Sequence, residues 1–385
     1  MLIKEREMVF KSCAKWRSKM FINFRQTSKD MDHKKLIRFL QRHGQYYLVQ
    51  DAQIHFQNVL KNSLKAKDEP VLVLSDFGKP NKRASALMAA GFYVAARKLG
   101  LDATLEMQKA RKRPEPAEPH IQKALSEFPD KGIILLSSYN TLGKLNRIEG
   151  SFRKFCAERK HRFVSALGLG ELPTRRFSRL MTVIDVDYHK MQMKAERIGK
   201  MISKGKEMHV TTAKGTDIRL EMRKAKPVLN TGNYTRPGTG GNLPAGEVYF
   251  PPDIGTTEGR VVIDGSLRHR NGTAFPKKPV ILRIKSGEIV KIYGSSQGKK
   301  LIATIKEARK KEYGEHARKI CEIGIGINPN ADFFGPTVLN EKAYGTMHIA
   351  NGNNVWFDGE VRAPVHLDHI FKKPKIEIDN KQFIP

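Results

Sequence analysis

Acidic residues are scarce in this chain: 39 Asp and Glu stand against 70 Lys and Arg over 385 residues, a formal net charge of +31. Such a surface repels cations and draws polyanions, which makes nucleic acid a candidate partner on charge alone. The bases are spread along the chain, in stretches such as Lys109–Arg113 and Lys299–Lys311, with no zinc-finger spacing and no RNA-recognition aromatic motif beside them. The sequence therefore does not predict a nucleic-acid-binding module. Cysteine is scarcer still. Cys13, Cys156 and Cys321 form no CxxC pair and are odd in number, which excludes a disulfide framework and predicts free thiols in a reducing, cytoplasmic setting. No apolar run approaches the ~20 residues that cross a bilayer, and Lys and Arg break the first apolar patches too often for a secretory signal. Two catalytic signatures are also missing. The first strand-like run ends in Ser75-Asp76-Phe77-Gly78 without a following GxGxxG, which excludes the dinucleotide fingerprint; Gly168-Leu169-Gly170 is a lone GxG and reads as a turn. No GxSxG is found, which excludes a serine nucleophile elbow.

What remains is a globular composition, 39% hydrophobic, and enough length for two domains. Residues 1–33 form a basic extension with Trp16, Phe21 and Phe24 in weak helical spacing; we expect a peripheral helix, or a stretch ahead of a start at Met8, Met20 or Met31. Glu5 and Glu7 argue against a targeting peptide. From 34 to 205, apolar runs at Val71–Ser75, Ala103–Met107, Gly132–Ser138 and His161–Ala166 alternate with helical periodicity, as in Ser85–Leu99 and His120–Phe128. That alternation predicts a doubly wound α/β domain with a parallel sheet. From 206 to 385 the texture turns to short strand-like runs between glycine-rich turns, interrupted by one helix over Lys299–Glu312, which predicts a β-rich domain.

The β-rich half carries the candidate chemistry. His366 and Asp368 are two residues apart in Val365-His366-Leu367-Asp368, so on a strand both project from one face towards a common point. His348 lies in a second strand-like piece bounded by Gly345 and Gly352. Two imidazoles and a carboxylate suit a divalent ion such as Zn, Mn, Co or Fe(II). A lone H-x-D is weak evidence by itself, since most such pairs are surface hydrogen bonds. Glu247 and Glu322 sit in glycine-rich, apolar settings where an unpaired carboxylate is costly. After Glu322, Ile alternates with Gly324 and Gly326, which leaves room for another group to approach the backbone.

The ordered segments GGNLPAGEV, EGRVVIDGS, EIGIGINPNA, EKAYGTMHIANG and HLD, with FSRLMTVIDVDY and HVTTAKGTDIRLEM upstream, resemble the aminopeptidase T/aminopeptidase S family of metallopeptidases, the leucyl aminopeptidases. The likeness runs from about 160 to 380. It implies a β-rich catalytic domain behind an α/β domain, a homodimer, a peptide substrate, and two divalent metals (Zn, Co or Mn) that activate water for release of N-terminal residues. Matched residue by residue, it implies metal ligands at Glu247, Glu322 (bridging), His348, His366 and Asp368. Glu341, seven residues before His348, is the candidate general base. One departure stands out: the family's tyrosine ligand after the first histidine has no counterpart in Ala350–Trp356, leaving the second metal without it. Two other readings fit the same residues. Relatives of this fold include a dihydroxypyridine ring-cleaving dioxygenase with two His and one Asp on iron, an arrangement that His348, His366 and Asp368 alone would make. A non-catalytic basic protein that binds polyanions is the third.

Overall fold

The computed structural model describes residues 28–383 apart from 113 and 295. Most of the expected basic extension, and Cys13 with it, lies outside the described residues.

The first sheet has five parallel strands in the order Ala103–Gln108, Val71–Asp76, Ile133–Ser137, Arg162–Ala166, Gly240–Asn242. Its central strands are buried on both faces, which is why they read as unbroken apolar runs. Val71 and Val73 join a core with the helix Ala84–Lys98, while Leu72 and Leu74 point the other way to Ile121, Leu125 and Phe155. Helices thus cover both faces, as a doubly wound sheet requires. Phe56, from the helix Gln53–Asn58, lies so close to Gly91 that a Cβ there would stand 2.0 Å from its ring.

The expected α/β class with a β-rich second half is what the structure shows. That half contains two seven-stranded antiparallel sheets. One runs Glu288–Tyr293, Val280–Lys285, Glu258–Ile263, Asp217–Glu221, Glu207–Thr211, Lys375–Ile378, Lys381–Phe383. The other runs Gly272–Ala274, Leu267–His269, His366–Lys372, Thr346–Gly352, Ile320–Gly326, Glu247–Phe250, Val228–Asn230. The expected helix appears as Ser296–Ala308, and the chain then turns at Tyr313, in the left-handed region at φ 57°. Several elements have no counterpart in the sequence reading, two of which matter for how the chain is arranged. The helix Phe152–Glu158 is capped by the Ser151 hydroxyl, which accepts from the Lys154 amide. The strand Gly240–Asn242 lies beyond residue 205 and returns the chain to the first sheet.

No helix among the described residues is long and apolar enough to cross a membrane. Cys156 and Cys321 are free and buried.

Candidate metal centre

The centre is built on one face of the second antiparallel sheet. Its three central strands pair Glu322 with Ala350 and Ala350 with Asp368; one step along, Gly352 faces His366 and Gly324 faces His348. Directly paired residues share a face, and so do residues two apart, so Glu322, His348, His366 and Asp368 all rise from the same side. Gly326 pairs with Glu247 on the next strand, which adds the fifth carboxylate-or-imidazole group to that side. The positions between them are filled by Gly324, Gly326, Ala350 and Gly352, so the floor is made of backbone and the large polar groups have space above it. At Gly324 the fit is tightest: an added Cβ would lie 2.1 Å from both Cε1 and Nε2 of His348. The room left by the Ile-Gly alternation is therefore taken by an imidazole.

The five groups expected as ligands come together. His366 Nε2 is 3.0 Å from Asp368 Oδ1 and 3.4 Å from Glu322 Oε2, and His348 Nε2 is 3.1 Å from Glu322 Oε1 and 3.8 Å from Glu247 Oε2. Ligand atoms of Glu322, His348 and Asp368 all fall within 4.8 Å of one another. His366 Nδ1 lies 2.7 Å from the Asn353 carbonyl, which only accepts, so Nδ1 carries the proton and the Nε2 lone pair faces the carboxylates. Such an arrangement needs a proton or a cation between ring and acid. Burial opposes charge on both imidazoles, yet the surrounding acids outweigh it: His348 is pushed up to about 9 by Glu322, and His366 well above its usual range by Asp368. Burial likewise raises Asp368, but the His366 imidazole overrides it and holds that carboxyl low. Burial raises Glu322. His369, on the opposite face, is the contrast: bonded to Asn351 Oδ1 at 2.8 Å, it is pushed down to about 4 by burial and stays neutral.

These residues fit a divalent ion. Glu322 Oε2 and His348 Nδ1 are buried with no hydrogen-bond partner, and the donor set of neutral imidazole nitrogen and carboxylate oxygen suits Zn, Mn, Co or Fe(II). Asp32, Glu106 and His120 also converge, at the edge of the first sheet, but Asp32 and His120 are committed to the backbone of Met107.

Above the ligands lies a cleft of about 240 Å³. Leu167 and Gly168, just past the parallel strand Arg162–Ala166, and Asn242 close one side. Tyr249 and Trp356 form an aromatic wall with Phe357 behind them; the Trp356 ring is 5.8 Å from that of His366, edge to face. Arg268 and Val338 line the cleft as well, with Arg268 held by the Glu171 carboxylate.

Glu341 lines this cleft and is buried, which raises its carboxyl to about 8 against the pull of Lys342. Lys342 escaped sequence reasoning. It is fully buried, with Nζ 2.5 Å from Glu247 Oε1 and 2.5 Å from Glu341 Oε1, and the two acids hold its pKa above the usual lysine range. As one base among 70 it carried no signal beyond its place between Glu341 and Ala343. The aromatic wall was missed for a similar reason: Trp356 sits in the three-residue 3-10 helix Val355–Phe357, too short for periodicity to mark it.

A doubly wound α/β domain joined to a β-rich domain, with imidazoles and carboxylates converging on one sheet face, defines a class of metal-site proteins rather than a reaction. Residues 158–385, more than half of the chain and the whole of this centre, match the NicX family, 2,5-dihydroxypyridine 5,6-dioxygenase, and the chain belongs to that family of enzymes. The 2,5-dihydroxypyridine 5,6-dioxygenase of Pseudomonas putida is 24% identical over 197 residues, which covers 48% of this chain and about half, 54%, of the relative's own length. Among solved structures, 2,5-dihydroxypyridine dioxygenase from Pseudomonas putida KT2440 superposes with a TM-score of 0.67 at 19% identity, over 87% of this chain and 96% of the other. Wild-type AmpT from Thermus thermophilus does so with 0.61 at 14% identity, over 87% and 97%. These two likenesses show the fold.

The expectation of a leucyl-aminopeptidase-like hydrolase acting on peptides is overturned by the family match. The segments that carried the resemblance build the sheet face just described, within a fold that AmpT and the dioxygenase both share with this chain. Ligand-bearing strands record where a metal can sit; they do not record which bond is broken.

Proposed function

We propose that the chain is a ring-opening dioxygenase acting on a small hydroxylated nitrogen heteroaromatic of the 2,5-dihydroxypyridine type, with His348, His366 and Asp368 holding ferrous iron. The observation that carries the reading is the family match over the segment that contains all three residues. The cleft supports it. At about 240 Å³ it lies below the roughly 300–1,000 Å³ typical of drug-sized ligands, which suits a single ring better than a peptide.

Bound ferrous iron would supply the chemistry that lets dioxygen react with an electron-rich ring. The chain's own residues do the rest. Tyr249 and Trp356 offer flat faces against which an aromatic ring packs, and Leu167 and Val338 keep bulk water from its far side. Glu341, in the cleft wall, takes the proton that a ring hydroxyl releases on binding once it is itself ionised, a form that grows as pH rises through about 8, and Lys342 holds that carboxylate in place. The Asn353 carbonyl, accepting from Nδ1–H, fixes the His366 imidazole in orientation.

The test is oxygen uptake by protein reconstituted anaerobically with Fe(II), using 2,5-dihydroxypyridine as substrate. Uptake with loss of the ring's ultraviolet absorption is the expected result. Full iron loading with no uptake on this or any related hydroxypyridine sinks the proposal. Trp356→Ala should raise KM by roughly 2–10-fold with kcat nearly unchanged, as loss of one aromatic contact of about 0.5–1.5 kcal/mol predicts; steady-state kinetics at saturating oxygen decide it. Glu341→Gln should instead lower kcat by about 10²-fold and leave KM in place, because it removes a proton acceptor and little contact surface.

A further inference from the structure

On the first antiparallel sheet, the strand Val280–Lys285 alternates: Val280, Leu282 and Ile284 are buried, while Arg283 and Lys285 reach solvent. Cross-strand pairing sets the neighbours on that solvent face. Arg283 lies directly opposite Arg260 on one side and Lys291 on the other, so three cations stand in a row across three strands. All three are exposed. Like charges placed directly opposite destabilise a sheet, and at about 4.8 Å between strands this row holds its charges within about 10 Å. The nearby acids are committed elsewhere. Asp217, opposite Arg260, has Oδ1 2.8 Å from His209 Nε2, and Glu258 accepts from the Ser286 amide. Arg260 donates from Nε to the Gly215 carbonyl at 2.7 Å, which fixes its side chain but leaves its charge in place.

Two residues along the same face, Ile281 is paired with Tyr293, which sets an apolar edge beside the cations. The Tyr293 side of that edge is 41% exposed, and Lys291 Nζ lies 5.0 Å from the ring centre. A shallow groove of about 830 Å³ is lined by Arg260, Arg283, Ile281 and Tyr293 together.

We propose that this groove docks a single strand of nucleic acid, with phosphates along the row Arg260, Arg283, Lys291 and a base against the Tyr293 ring. A positive track beside an aromatic face is what such strands bind without a sequence motif. The charge pattern selects this occupant. A broad anionic bilayer would meet Asp217 and Glu258 of the same groove along with the cations, whereas a narrow strand follows the row and leaves those acids aside. A second copy docked by this face about a twofold axis would bring like charges together. An acidic peptide would satisfy the cations but bring no base to the ring. The site also explains why the charge of the chain shows no nucleic-acid motif: each cation comes from a different strand, so no stretch of sequence contains the row. This surface is separate from the candidate metal centre and goes beyond ring opening.

The experiment is fluorescence anisotropy of the full chain with a labelled oligothymidylate at several salt concentrations. Wild type should bind at low salt, with log affinity falling against log salt at a slope of about −2, as three phosphate contacts on a single strand predict. Arg283→Glu should weaken binding by at least about 10-fold and flatten that slope, while Lys98→Glu, the same kind of charge reversal on the helix Ala84–Lys98, should change affinity by less than about 2-fold. Tyr293→Ala should weaken binding by about 5-fold or more and leave the slope as it is, because it removes stacking and no charge. Equal losses in Arg283→Glu and Lys98→Glu overturn the proposal in favour of diffuse attraction. Absence of binding at low salt overturns it too, as does displacement of the oligonucleotide by polyglutamate at equal charge concentration. Should Arg283→Glu fail to fold, Lys291→Glu reads the same row.

Discussion

Replacing His366 with alanine is expected to strip the protein of its metal ion and end ring cleavage while the fold survives. The imidazole is the first residue of its strand and partly exposed, with 23% of its side chain reachable, so little packing is lost with it. Its chemistry is another matter. Nε2 stands 3.0 Å from Asp368 and 3.4 Å from Glu322, and Nδ1–H is spent on Asn353, so the ring is oriented to give one lone pair to one point. Even partners one shell further out cost about 10–100-fold in metal affinity when removed, so loss of a direct ligand should exceed about 100-fold. Elemental analysis after gel filtration, with oxygen uptake on 2,5-dihydroxypyridine, measures both losses. A His366→Ala protein that keeps its ion and its turnover removes this residue from the ligand set.

Gly324→Ala is expected to do comparable damage by adding a single methyl group. That methyl would sit 2.1 Å from two atoms of the His348 ring, inside any permitted contact, and the ring is wholly buried with nowhere to retreat. Either His348 leaves its rotamer or the paired strands shift, and both outcomes take Nε2 away from Glu322. We expect loss of the ion, loss of turnover, and a destabilisation of about 1–3 kcal/mol from overpacking. The clash has a specific signature. His348→Ala frees the space, so the double variant Gly324→Ala/His348→Ala should melt higher than Gly324→Ala alone, a non-additivity expected of residues in contact. A Gly324→Ala protein with unchanged Tm and a full complement of metal contradicts the packing argument.

The fold was legible where burial imposes a period. Val71–Asp76 and Ile133–Ser137 are enclosed on both faces and appear in the sequence as unbroken apolar runs. Gly240–Asn242, Leu267–His269 and Gly272–Ala274 were not, because three residues are too few to show any period. The same division holds at the centre. The two-residue spacing of His366 and Asp368 is a statement about one strand and could be read directly. The convergence of Glu247, Glu322 and His348 depends on which strands become neighbours, and there the resemblance did what spacing could not. The reaction was misread because the resembling segments describe the sheet that carries the ligands. Trp356, which shapes the cleft, lies between those segments, and Lys342 lies inside one of them, EKAYGTMHIANG, where no pattern marks it.

The short strand Gly240–Asn242 has a mechanical consequence. The chain crosses the first sheet four times, departs to begin the β-rich half, including Val228–Asn230 at the edge of the ligand-bearing sheet, then returns for three residues beside Arg162–Ala166 before re-entering that sheet at Glu247. The two halves are thus sewn together by a backstitch, only five residues from Glu247, a carboxylate of the candidate centre. Pulling one half from the other would unzip that strand and drag Glu247 with it. Rigid-body opening of the halves is therefore a poor route for substrate entry. Trp356 and Val338 line the cleft, so movement of side chains such as these is the route left open while the floor of the candidate centre keeps its register.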